Sequence, residues 1–402
     1  MTSDQPTRLL FVNAHVYRPD QVYQPGWLLT EGARIRLIGA GSPPPLLDDT
    51  ATRIIDAAGL HLLPGFIDLH AHGARGCDTM DAAPDALRTI ARFYAQHGVT
   101  SFLPTTWTAA PDDTARALAV ITALTGGVPG GATILGAHLE GPCLNADKAG
   151  AQAPQHIRRA DPVEMRALLD QHHVRLVALA PEFPENLWLI DECVRRGITV
   201  SAAHTTATYS QMLHAVEHGL RQATHTFNAM TGFGHREPGA VGAALTIDLI
   251  RAELIADNLH VHPAAMNILV KVKGPDRVIL VTDAIRGAGM PDGEYRLDQR
   301  TLVVRHGLVQ LGDGTLAGSV LTMERALRNI VAATDLSLRE AWPMTSLNAA
   351  HAIGVAQTKG SLEVGKDADL VLLNARLNLV MTVVAGDVVH EVSTDRPVLA
   401  AI

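Results

Sequence analysis

Residues 60–72 read LHLLPGFIDLHAH. Apolar residues carry the run as far as Leu69, and it closes on His70 and His72. Strands favour β-branched and aromatic side chains, so imidazoles do not gather at a strand end by propensity. The arrangement recurs downstream. ATILGAHLE closes on Glu140, GITVSAAH closes on His204, RQAT leads into His225, and VILVTD ends at Asp283. When several strands present such groups at one end, a metal-dependent site on a barrel rim is the leading explanation.

Outward from this run, strand-like and helix-like segments alternate. The strand candidates are LLPGFIDLH, GVTSFLPT, ATILGAHLE, VRLVALA, ITVSAAH, RQATHTF, RAELIAD and RVILVTD. That is the number a closed (β/α)8 TIM barrel requires. Helical patterns lie between most of them: DALRTIARFYAQHG, DDTARALAVITALTGG, DPVEMRALLDQHH, PENLWLIDECVRRG and TYSQMLHAVEHG. An open doubly wound sheet is the alternative, but no GxGxxG follows an early strand. Residues 293–318 read as an inserted hairpin and residues 322–334 as a closing helix. Near the start, RLLFVNAHVY, GWLLTEG and RIRLIGA are short strands, with SPPPLLDDT (42–50) as a loop. Near the end, ADLVLLNA and NLVMTVVAGDVVHEV are strands as well. The expected organisation is a small β-sandwich domain from residues 1–60 and 355–402, with a catalytic barrel over 61–354 inserted between.

The chain has 402 residues, 47% hydrophobic and 18% charged, with a formal net charge of -8. That balance argues against a general nucleic-acid or acidic-membrane surface. The 19 histidines, against 7 Phe and 5 Tyr, suit metal chemistry. Cys77, Cys143 and Cys193 form no CxxC pair, which fits a reducing cytoplasm without disulfides. No signal-peptide pattern opens MTSDQPTRLLFVN, and no apolar stretch is long enough for a membrane span.

His70 and His72 are two apart, so in a strand both face one side and can meet one ion. Glu140 alone would read as a cap or ion-pair partner. His204 and His225, each ending another strand, make it part of a three-ligand set with an open position. A divalent metal is therefore expected, zinc first, with Fe2+, Mn2+ or Co2+ compatible and one or two ions per chain. Asp283 could be a helix N-cap, but its place on the same rim favours general acid/base work. Arg236 and His260 offer cations for an anionic substrate, though an isolated Arg or His is ordinarily a surface residue. His97, His172 and His173 lie near helix C-termini, where they suit the helix dipole. Cys143 reads as a small lining residue rather than a nucleophile.

The ordered motifs PGFIDLHAHG, HLEGP, LAPE, SAAHTTAT, ATHTFNAM, REPG, IADNLHV, VTDA and GTLAGSVLTM resemble those of N-acetylglucosamine-6-phosphate deacetylases. GSLEVGKDADLVLLN is similar to the β-domain segment of the amidohydrolase superfamily. The resemblance runs from about residue 60 to the C-terminus. It implies removal of the acetyl group from N-acetylglucosamine 6-phosphate, giving glucosamine 6-phosphate and acetate, by a homodimer. It implies Glu140, His204 and His225 as ligands of the principal metal, and His70 and His72 as ligands of a second. Asp283 would be the catalytic acid/base. Asn228, Ala229, Arg236 and His260 match positions that hold the sugar phosphate, with Arg236 reaching the neighbouring subunit's site. One position departs: Gln152 in KAGAQ stands where the family usually has a substrate-contacting histidine. A neutral amide there leaves as alternatives another N-acetylhexosamine phosphate or an N-acyl amino acid.

Overall fold

The computed structural model describes residues 8–44, 52–298 and 300–392. Most of the loop expected over 42–50, and both ends of the terminal domain, lie outside those residues. Eight strands form the central sheet: β1 (Phe66–Ala71), β2 (Val99–Pro104), β3 (Ala137–Glu140, preceded by the short Thr133–Ile134 segment), β4 (Val174–Leu179), β5 (Thr199–Ala202), β6 (Gln222–Ala223), β7 (Arg251–Ile255) and β8 (Val278–Val281). β1 pairs with β2, and β3 to β8 pair in chain order, all parallel. Parallel bridges Thr105–His138 and Ala71–Ala284 carry the sheet across the remaining seams. The circuit therefore closes as the (β/α)8 TIM barrel that the alternation predicts. Every residue of β1, β2, β3 and β8 is buried. Burial on both faces explains why these strands read as apolar runs rather than alternating ones.

The five expected helices form at Pro84–Ala95, Pro111–Leu124, Pro162–Gln171, Pro184–Arg195 and Tyr209–His218. Four begin on proline, whose fixed φ suits the first turn and whose missing N–H is not needed there. Pro84–Ala95 buries Leu87, Ile90, Ala91 and Tyr94, one face at helical spacing. Two further helices, Gly239–Thr246 and Pro263–Lys273, complete the outer layer. The first reads GAVGAALT and is buried almost throughout, so it offers no polar face for a periodicity reading to find.

Strands from both termini form one curled eight-stranded sheet over a core that includes Phe11, Val16, Leu28, Leu62, Leu370 and Leu372. Leu370–Leu373 runs antiparallel to His61–Pro64, joining the two ends of the chain. His61–Pro64 thus belongs to this sheet, and the chain crosses into the barrel at Gly65. A Cβ at Gly65 would lie 2.2 Å from Thr100 Cγ2, so glycine is what the close crossing admits. We propose the domain division at Gly65 rather than at residue 60, with 355 retained on the far side.

The insert after β8 corrects an expectation. It is a three-stranded antiparallel sheet, Gly293–Leu297, Arg300–Arg305 and Leu308–Leu311, rather than a hairpin. The turn His306-Gly307 has both φ values positive (52° and 82°), the conformation of a tight hairpin turn, and it adds the third strand. The insert packs Leu302, Val304 and Val309 against Trp107, Ala151 and Ile285, beside the barrel mouth.

Candidate metal centre and active site

Glu140, the last residue of β3, is buried between two histidine pairs. Its Oε1 lies 3.2 Å from His204 Nε2 and 3.3 Å from His225 Nε2, and those nitrogens are 3.2 Å apart. Its Oε2 lies 3.5 Å from His70 Nε2 and 3.3 Å from His72 Nε2, which are 3.2 Å apart. Asp283 Oδ1 is 3.4 and 3.3 Å from the same two nitrogens. Ligands held tetrahedrally at about 2.0–2.1 Å from an ion are about 3.3–3.4 Å from one another. Each group thus has the spacing of donors around a common ion, with one oxygen of Glu140 in each. The imidazole and carboxylate chemistry of the donors fits a divalent metal.

Local backbone explains how chain-distant residues converge. His70 and His72 share a face by strand alternation. His204, His225 and Asp283 follow the ends of β5, β6 and β8, with left-handed φ of 43°, 31° and 47°. That turn at each strand exit aims the side chain into the mouth, in a conformation L-residues rarely adopt.

Neighbours fix these side chains. His204 Nδ1 donates to the Lys148 carbonyl at 2.7 Å, and His70 Nδ1 donates to Glu253 Oε2 at 3.3 Å, so Nε2 of each is left facing Glu140. The His72 ring stacks on Trp107, centroids 3.9 Å apart. Gln152, buried, donates from Nε2 to Glu140 Oε2 and accepts the Thr108 N–H at Oε1, both at 2.7 Å. Glu253 and Trp107 were not among the residues picked out from sequence. A carboxylate inside the apolar strand RAELI was the available signal for Glu253.

The electrostatics are those of a compact imidazole–carboxylate cluster. Burial works to raise the Glu140 pKa, but the His70 charge and hydrogen bonds from His204 and His225 hold it well below the usual carboxylate range. Burial likewise opposes ionisation of Asp283, and the charges of His70 and His72 bring it down to about 2. Those imidazolium charges exist only in the ion-free protein, because a metal-bound histidine is neutral.

A cavity of about 400 Å3 opens above this floor. His72, Glu140, His204 and His225 form its base, with Asp283, Gln152, Asn228, Ala229 and His260 around it. His70 lies beneath, fully buried. Thr315, Leu316 and Gly318, which follow the insert's third strand, supply a further wall. His260 Nδ1 is 2.7 Å from Asp257 Oδ2. Burial works against its charging, but the hydrogen bond and charge of Asp257 outweigh it and raise the pKa. Lys148 also lines the cavity. Arg236 does not: it is exposed and outside the cavity of its own chain. Cys143 is not a lining residue either; it is buried, and burial pushes its thiol up to about 12.

A closed parallel barrel with imidazole and carboxylate metal donors at the C-terminal ends of its strands defines a class of metal-dependent hydrolases. Comparison with known proteins narrows the class. Residues 61–389 match the model of the Amidohydrolase family. An N-acetylglucosamine-6-phosphate deacetylase of Lysinibacillus sphaericus is 39% identical over 334 residues, 83% of this chain and 86% of that protein. An N-acetylgalactosamine-6-phosphate deacetylase of Escherichia coli O157:H7 is 39% identical over 370 residues, 91% of this chain and 96% of that protein. A mutant of the Mycobacterium smegmatis N-acetyl-D-glucosamine-6-phosphate deacetylase, solved with N-acetyl-D-glucosamine-6-phosphate, superposes with a TM-score of 0.89 at 34% identity, covering 95% of this chain and 99% of that one. The chain belongs to the amidohydrolase family and, within it, to the N-acetylglucosamine-6-phosphate deacetylase family.

Proposed function

We propose that this chain hydrolyses N-acetylglucosamine 6-phosphate to glucosamine 6-phosphate and acetate. The observation that carries the reading is Glu140 placed with one oxygen toward each histidine pair, and Asp283 facing the cavity beside it. Glu140, His204 and His225 would hold the principal divalent ion, and His70 and His72 a second. When bound, such an ion polarises the acetyl carbonyl and lowers the pKa of a water. Zinc is the first choice, and Fe2+, Mn2+ or Co2+ share the donor set.

Asp283 accepts the proton of the attacking water and returns it to the amine nitrogen as the C–N bond breaks. His260, favoured as imidazolium by Asp257, faces the cavity with Asn228 and Ala229, where a sugar phosphate needs a cation and hydrogen-bond donors. Gln152 commits its oxygen to Thr108 and one N–H to Glu140, which leaves one N–H for the acetamide. Arg236 would act in the cavity of a second copy, in a homodimer; its exposure outside its own cavity supports this. Three free cysteines favour a reducing, cytoplasmic setting. Among the described residues no helix is long and apolar enough to cross a membrane.

The test is acetate release by metal-reconstituted protein from N-acetylglucosamine 6-phosphate, its galacto epimer and the unphosphorylated sugar. Fast, phosphate-dependent release from the gluco substrate supports the reading. Absence of release from folded, metal-loaded protein refutes it, and a clear preference for the galacto epimer moves the substrate to that of the Escherichia coli relative.

A further inference from the structure

A second charged cluster sits at the opposite end of the barrel. β6, β7 and β8 each enter the sheet at an arginine: Arg221 precedes Gln222, Arg251 begins β7, and Arg277 precedes Val278. The register pairs Gln222 with Arg251 and Ala252 with Val278, and the Arg251 N–H donates to the Arg221 carbonyl at 2.8 Å. Neighbouring strands lie about 4.8 Å apart, so three arginines stand side by side on one edge. With Asp276, Asn348 and His351 they line a cavity of about 490 Å3. Glu140, at the C-terminal end of β3, is on the other face of the barrel.

The charges there do not balance. Asp276 is the one carboxylate in the lining among the described residues; its side chain is 75% exposed and 3.4 Å from Arg277. Arg277 also donates to the Asp248 carbonyl, and Arg221 donates to the carbonyls of Val216 and Leu220. Arg251 has no side-chain hydrogen bond or ion pair among the described residues, and its Nε is buried without a partner. Burial, and then the Arg277 charge, push its guanidinium below the ordinary value. A partly buried, unpaired cation beside like charges is destabilising. The Asp276 charge opposes this shift, but among the described residues no carboxylate forms an ion pair with Arg251.

We propose that this cavity is a binding site for a phosphate-class oxyanion, held by the Arg251 guanidinium fork and flanked by Arg221 and Arg277. The planar guanidinium matches phosphate oxygens two at a time. The site is separate from the one proposed for the substrate's phosphate, and occupancy would relieve the repulsion along the strand edge.

The test compares wild-type holoenzyme with Arg251→Met by calorimetric titration and thermal unfolding at fixed ionic strength. The probes are inorganic phosphate and, in a separate arm, glycerol 3-phosphate; the tighter of the two tells whether the occupant is the free ion or a phosphorylated metabolite. Wild type is expected to show saturable binding and a rising midpoint, with affinity at least about tenfold weaker in the variant. In phosphate-free buffer the variant should keep its kcat/KM and unfold no earlier than wild type, since the repulsion is gone. Equal phosphate binding by both proteins overturns the proposal. So does an earlier midpoint of Arg251→Met without phosphate, which would mean that the chain itself satisfies Arg251. If Arg251→Met fails to fold, the double variant Arg221→Gln, Arg277→Gln gives the same readout.

Discussion

Replacing Gln152 with alanine tests how far the centre depends on the residue that holds its shared carboxylate. The side chain is 1% exposed and makes two hydrogen bonds of 2.7 Å, one to the Thr108 N–H and one to Glu140 Oε2. Orphaning a buried amide costs about 1–3 kcal/mol, and a hydrogen bond to a charged group contributes about 1.5–3 kcal/mol. The adjoining cavity lets water replace part of both, so the ion-free protein should lose about 2–4 kcal/mol. Loss of a partner that orients a ligand typically lowers metal affinity about 10–100-fold. Chelator competition and elemental analysis would read the affinity, and thermal unfolding of ion-free protein would read the stability. Gln152→His should fall between, because the shorter imidazole cannot reach both Thr108 and Glu140. Unchanged metal affinity in Gln152→Ala would refute the reasoning and leave Gln152 as a substrate contact alone.

Asp283→Asn should abolish turnover, a loss of at least about 10²-fold, while the principal ion is retained; near-normal kcat removes Asp283 from proton transfer. His204→Ala should lose the principal ion, and elemental analysis showing full metal content would exclude His204 as a ligand. Arg236→Ala should raise KM for the sugar phosphate several-fold without moving the unfolding midpoint, and an unchanged KM rejects the phosphate role. The pH dependence rests on His260, whose pKa is raised because the Asp257 hydrogen bond and charge outweigh burial. A raised pKa keeps the imidazolium to higher pH, so KM stays low above pH 6.5 and climbs as pH passes through the raised value. Asp257→Asn removes that support and should bring the climb to lower pH. Superimposable profiles of KM against pH would count against a charged His260 in binding.

The barrel was legible because its strands are buried on both faces and read as apolar runs broken by helical periodicity. The candidate donors stood out for the same reason, since a histidine or glutamate ending such a run has no packing role there. What sequence could not carry is which atom meets which. Nothing in HLEGP says that the two oxygens of Glu140 face different histidine pairs, and nothing in KAGAQ says that Gln152 holds one of them. The helix Gly239–Thr246 was missed because a helix of small buried residues has no polar face. Arg221, Arg251 and Arg277 are far apart in sequence, and only the strand register makes them neighbours. The break at Gly65 was hidden in a continuous apolar run that serves two different sheets.

His204, His225 and Asp283 hold left-handed backbone that glycine or asparagine would adopt more easily. Such conformations cost about 1–3 kcal/mol each. Selection for heat resistance alone would therefore favour glycine or asparagine at these three positions and erase the proposed reactive centre. With the roles proposed for them, durability and activity are opposed at the same residues, so efforts to toughen this protein belong elsewhere in the chain.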